Sequence, residues 1–166
     1  MKRIIAMLLA CLLILSATAC GKAEVPEQPS DKPITLKMAD GKVKATLPAG
    51  YFADRSKPLQ ANQVARYSCQ DNYTLDVFMM PKNAKDATAA AEVYAQEKGV
   101  KSFSTTVAGN TLSAYNYRET EENQVLLVAN YLTEVQDGYL MLSFRTNGKP
   151  AQLEAVGAFL ESMKIS

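Results

Sequence analysis

The chain contains no histidine and no tryptophan. Without histidine it has no Ser-His-Asp or Cys-His pair, no imidazole metal ligand, and no side chain whose unperturbed pKa lies near neutrality. Other catalytic signatures are missing too: Gly-x-Ser-x-Gly, Ser followed three residues on by Lys, Gly-x-Gly-x-x-Gly and the phosphate-binding loop are all absent. The eight glycines read as turn residues. No cofactor is expected, and neither is catalysis; the enzymatic alternative is an unrecognised hydrolase built on carboxylates or a lysine. Charge of one sign is lacking as well, since 18 Lys and Arg stand against 17 Asp and Glu, interspersed. Nucleic acid would require a basic stripe or cluster, so it is not an expected partner.

What is present starts at the N-terminus. Lys2 and Arg3 precede an apolar run from Ile4 to Leu15, followed by the small residues Ser16, Ala17, Thr18 and Ala19. That order is a secretory signal peptide over residues 1–19. The uncharged run up to Cys20 is shorter than the roughly 20 apolar residues that cross a hydrocarbon core.

Ala17-Thr18-Ala19-Cys20-Gly21 resembles the bacterial lipobox, with Ala17 standing where the lipobox usually has a larger aliphatic residue. The resemblance implies that Cys20 receives a diacylglycerol thioether and becomes the first mature residue. Cys11, after Leu8-Leu9-Ala10, is similar, but cleavage there would leave only a stub of apolar segment before it. Each buried methylene contributes about 0.8 kcal/mol, so two or more acyl chains anchor stably. The expected partner is therefore a membrane, with the protein on the outer side of the bacterial cell membrane or the periplasmic side of the envelope. Cleavage removes Lys2 and Arg3, leaving 16 basic against 17 acidic residues and a formal charge of −1. With Cys20 lipidated, Cys69 has no intramolecular partner and is expected as a small buried residue at a strand end.

Residues 20–33 carry three prolines and little to bury, which reads as a disordered tether of extended polyproline II character. Residues 34–166 then have the size and pattern of a single α+β domain. Ile34, Leu36 and Met38, then Val43, Ala45 and Leu47, alternate with polar residues about Asp40-Gly41, a hairpin signal. A polar loop from Ala53 to Asn62 follows, then a second hairpin, Val64 to Cys69 and Tyr73 to Met80. Asp86 is a candidate N-cap for a helix closed by Gly99. Four strands follow, joined at Ala108-Gly109-Asn110, Glu121-Glu122-Asn123 and Gln136-Asp137-Gly138; such short links demand antiparallel neighbours. Pro150 opens a closing helix whose expected apolar face is Leu153, Val156, Gly157, Leu160 and Met163.

Two groups are candidate sites. Tyr115, Tyr117, Tyr131 and Tyr139 sit at alternating positions of the meander and form a candidate binding surface on one sheet face, with Arg118 or Arg145 nearby. The plain alternative is that they cover a half-buried sheet under a helix, since strands favour aromatics anyway. Asp71, Asn72 and Asp76 offer oxygen ligands for calcium but lack the spacing of an EF-hand loop, and read better as turn residues; no metal site is expected.

The order of elements resembles the PsbP-like domain. The local matches are Val43-Lys44-Ala45-Thr46-Leu47-Pro48-Ala49-Gly50-Tyr51, similar to that family's strand and Pro-x-Gly turn, and the closing Phe159 to Ile165. The resemblance implies an antiparallel sheet packed by two helices, no catalytic motif, and an accessory or binding role. It also implies company with photosystem accessory proteins, a nuclear import factor that binds a small GTPase, and envelope lipoproteins. Three functions are thus carried forward: an accessory module for an envelope protein, using the sheet face or the Ala53 to Asn62 loop; a small-ligand binder with a pocket between sheet and helix; and the hydrolase.

Overall fold

The computed structural model describes residues 25–70 and 73–166. Cys20 and the residues expected to form an export signal lie outside the described residues, as do Asp71 and Asn72. The strands are β1 (Ile34–Met38), β2 (Val43–Leu47), β3 (Tyr51–Ala53), β4 (Gln63–Cys69), β5 (Thr74–Pro81), β6 (Ser102–Val107), β7 (Asn110–Glu121), β8 (Gln124–Val135), β9 (Gly138–Thr146) and β10 (Lys164–Ile165). The helices are α1 (Ala87–Glu97) and α2 (Pro150–Glu161).

The hairpins and the meander do not form one sheet. The first hairpin stands apart with the short β10 in a three-stranded sheet ordered β1-β2-β10, while the rest forms a seven-stranded antiparallel sheet ordered β3-β4-β5-β9-β8-β7-β6. The physical reason lies in the two apolar rows. Leu36, Met38, Val43, Ala45 and Leu47 need cover, and they find it by packing face to face on Leu75, Val77, Leu140, Leu142 and Phe144 of the large sheet. The α2 residues Val156, Phe159 and Leu160 complete this core, with the Phe144 and Phe159 rings edge-on at 5.5 Å.

The other face of the large sheet is covered at one end by α1. Ala90, Ala91 and Ala95 have no bulk to hold the helix off, so it settles on Tyr115, Leu132, Tyr139 and Met141. Asp86 caps α1 as expected, its Oδ1 accepting the Ala89 N–H at 2.8 Å, and Gly99 ends it with φ of 68°. Pro150 opens α2, but its buried face is Gln152, Val156, Phe159 and Leu160, whereas Leu153 is 49% exposed. Gln152 is admitted because its Oε1 accepts the Asn147 N–H at 3.0 Å.

Residues 25–33, expected as part of the disordered tether over 20–33, are docked on the domain. From Val25 the chain is held: Ala53 N–H donates to the Pro26 carbonyl at 2.8 Å, Gly50 N–H to the Ser30 carbonyl at 2.7 Å, and Ser30 N–H to the Tyr51 carbonyl at 3.3 Å. Val25 also packs on the larger core. An extended segment has free backbone groups, and those of β3 at the sheet edge are their partners. Among the described residues no helix is long and apolar enough to cross a membrane.

Candidate functional site

The four tyrosines do not share a face. Tyr115 pairs with Asn130 and Tyr131 with Ala114, so Tyr131 points opposite to Tyr115 and Tyr117. Tyr139 pairs with Glu134 and returns to the side of Tyr115. The cause is the length of two turns: the β7–β8 link is Glu122-Asn123, both at positive φ, and the β8–β9 link is Gln136-Asp137, each one residue shorter than expected. A slip of one residue moves every side chain of a strand to the opposite face.

Nor do they form an aromatic patch. Tyr139 is fully buried under α1, its hydroxyl donating to the Ala84 carbonyl at 2.6 Å, and Tyr115 lies against Met141. Tyr131 meets Phe144 in the other core, at 6.0 Å. Burial pushes the hydroxyl pKa values of Tyr115 and Tyr131 up, as fits rings held in apolar surroundings. Tyr117 is half-buried, stacked on Tyr115 at 6.3 Å with Lys98 Nζ 5.1 Å above its ring. Arg145 is on the Tyr117 side and Arg118 on the other.

Beyond the reach of α1, that same face carries a charged network. Asp76 is 2% exposed and its Oδ1 accepts from Arg66 Nε at 2.8 Å and Gln63 Nε2 at 2.6 Å. Arg145 Nε stands 3.9 Å from Asp76 Oδ2 and 3.4 Å from Glu119. Asp54 accepts from Ser56 and Ser68. Burial works to raise the Asp54 pKa, but those hydrogen bonds and Arg66 outweigh it and hold the carboxyl below its ordinary value. Asp54, Arg66, Asp76 and Arg145, together with Lys57, Thr74 and Glu121, line a recess of about 220 Å³. Thr74 Oγ1 and Arg145 Nε have no hydrogen-bond partner among the described residues, and the recess has room for water to serve them. Asp76, weighed as a calcium ligand, gives its carboxylate to Arg66 and Gln63 instead. Cys69 ends β4, half-buried against the larger core.

A second and larger opening lies on the opposite face, where Ala65 and Tyr67 of β4 and Met79 near the end of β5 are only half-buried. This groove encloses about 880 Å³. Leu36, Met38, Val77, Met79 and Leu140 form its apolar floor, Tyr67 and Ala65 one wall, and Val25 closes one side. The loop 54–62 forms its rim, bringing Arg55, Lys57 and Leu59, while Lys37 and Asp40 stand across from it. Two large apolar side chains on this border, Leu59 and Val64, are 48% and 52% exposed. The sequence singled out this loop as a contact element but placed a pocket between sheet and helix. The groove is between two sheets, because the hairpin that walls it belongs to a sheet of its own.

No family model matches the chain, and no curated protein matches it in sequence. Solved structures do match in shape. A protein from Bacteroides thetaiotaomicron VPI-5482 superposes with a TM-score of 0.56 at 8% identity, covering 81% of this chain and 49% of that one. This chain thus spans about half of that protein's length. A variant of the protein Mog1 gives 0.55 at 13% identity, over 80% of this chain and 95% of that one. Cyanobacterial PsbP (CyanoP) from Synechocystis sp. PCC 6803 gives 0.58 at 11% identity, over 90% and 99%. At such identities the likeness speaks to architecture alone. Two helices packed on antiparallel sheets, superposing on CyanoP and Mog1 over most of their lengths, make this a PsbP-like α+β fold.

Proposed function

We propose that this chain is an exported lipoprotein, anchored through Cys20, whose domain is a non-catalytic binding module with its site in the groove between the two sheets. The groove carries the reading. At about 880 Å³ it falls within the roughly 300–1,000 Å³ range of small-molecule sites, and its floor is apolar with polar groups in the walls and rim, the usual form of such sites. The ligand class is a small, largely apolar molecule. The anchor reading is supported by the charged start, apolar run and lipobox-like end of residues 1–21.

An accessory role toward an envelope protein is the second reading, favoured by the exposure of both Leu59 and Val64 on the groove border.

The test uses the mature chain from residue 20 with Cys20→Ala, titrated with the apolar fluorophore N-phenyl-1-naphthylamine. Enhanced fluorescence in the native groove and a roughly tenfold weaker titration in Met79→Trp, with unchanged circular dichroism, is the expected result. Equal enhancement in both proteins would refute the groove as the site. Incorporation of a labelled fatty acid in cells, abolished by Cys20→Ala, checks the anchor. Crosslinking in intact cells, with the same variant as the unanchored control, checks for an envelope partner.

A further inference from the structure

The small sheet has one face in the core and one in water. Leu36, Met38, Val43, Ala45 and Leu47 point inward, and Lys37, Lys44 and Lys164 are exposed on the outer face. Register sets Lys37 opposite Lys44 and Lys44 opposite Lys164, so the three lysines form one row across all three strands. Like charges directly opposite one another in a sheet repel and lower stability. Among the described residues, no ion pair relieves any of the three. The next pair in the register, Thr35 and Thr46, is uncharged, and Asp40 and Lys42 in the connection offset one another in formal charge. The outer face of the small sheet therefore carries an uncompensated cationic row, although the protein as a whole is close to neutral.

Position indicates what this row faces. Lys37 borders the groove, and so does Val25, where the described chain begins. Cys20 precedes Val25 by five residues. At 3.3–3.6 Å per extended residue, that length reaches at most about 18 Å. A lipid on Cys20 thus holds this end of the domain within a couple of Debye lengths of the headgroups, the Debye length being about 8 Å at physiological salt.

We propose that the outer face of the small sheet lies on anionic phospholipid headgroups, with Lys37, Lys44 and Lys164 against the phosphates and the mouth of the groove turned toward the bilayer. The orientation rests on the anchored reading above; the electrostatic contact does not. Each lysine brought near such a surface strengthens partitioning roughly fivefold, so the row acting together accounts for a factor on the order of a hundred.

The experiment sediments the mature chain carrying Cys20→Ala with vesicles of phosphatidylcholine alone or mixed with phosphatidylglycerol. Binding to the mixed vesicles only, weakening as sodium chloride is added, is expected. The triple change Lys37→Gln, Lys44→Gln and Lys164→Gln lowers that binding on the order of a hundredfold. Misfolding is not a rival explanation, because removing opposed charges is expected to raise thermal stability, which is measured on the same sample. The matched triple Lys85→Gln, Lys98→Gln and Lys101→Gln removes the same charge around α1, across the other face of the large sheet, and leaves binding within roughly twofold. Equal losses in the two triples, or equal binding to both vesicle types, overturn the proposal. Because no lipid is attached in this experiment, failure here is distinct from failure of the anchor or of the groove.

Discussion

Two recesses flank the loop 54–62, and Asp54, Lys57 and Arg66 belong to the walls of both. On one face of the large sheet the recess is small and polar, and its buried charges answer one another: Asp76 to Arg66, with Arg145 between Asp76 and Glu119. On the other face the recess is four times as large, apolar at its floor, and bordered by exposed Leu59 and Val64. The same loop thus helps to close a structural network on one side and leaves an unfilled surface on the other. Charge density alone does not mark a binding site; a buried charge already paired is part of the scaffold, while apolar surface left open awaits cover.

The comparison breaks most readily at Asp76. Asp76→Ala leaves Arg66 buried without its carboxylate, and a loss of about 3–5 kcal/mol in urea-unfolding stability is expected, with the groove fluorophore still bound by the folded fraction. Comparable stability in variant and parent would show that the network is dispensable. Met79→Trp sharpens the contrast from the other side. Met79 is only half-buried at the groove floor, so the indole enters open space, and fluorophore affinity falls by roughly tenfold, about 1.4 kcal/mol, with little change in the unfolding midpoint.

Lys44→Gln separates paired from unpaired charge. Lys44 has a lysine opposite it on each side, and its replacement raises stability by about 0.2–1 kcal/mol, a gain that shrinks in high salt. A loss of stability would mean that the row has counter-charges after all. The smallest effect belongs to Asp54. Its folded pKa lies below the unfolded value, so its contribution is present above about pH 4 and is lost as pH falls through the folded pKa. Asp54→Asn removes that acid-dependent part, and the pH profiles of parent and variant converge at low pH; parallel profiles would contradict the assignment.

Much of the architecture was readable residue by residue. Alternation marks β1, β2 and the strands of the meander because one face of each must leave water, and Asp86 and Pro150 announce helix starts through the unpaired N–H groups of a first turn. The candidate surface was misread for an equally local reason. Three-residue turns at Glu121 to Asn123 and Gln136 to Gly138 would have gathered all four tyrosines on one face; the two-residue turns place Tyr131 alone on the other. The loop 54–62 stood out by its polarity, but nothing in its composition indicates that it borders two recesses of opposite character.

What the sequence determined by itself is therefore whatever depends on near neighbours: the absence of histidine chemistry, the strands, the helix caps and the α+β class. Only the tertiary structure decided the split into two sheets, the docking of residues 25–33, the groove and the lysine row. Each of these joins residues far apart in the chain, such as Lys44 with Lys164 or Leu36 with Leu140. Their juxtaposition is set by strand register and by which apolar faces cover each other, and both are settled when the whole core packs.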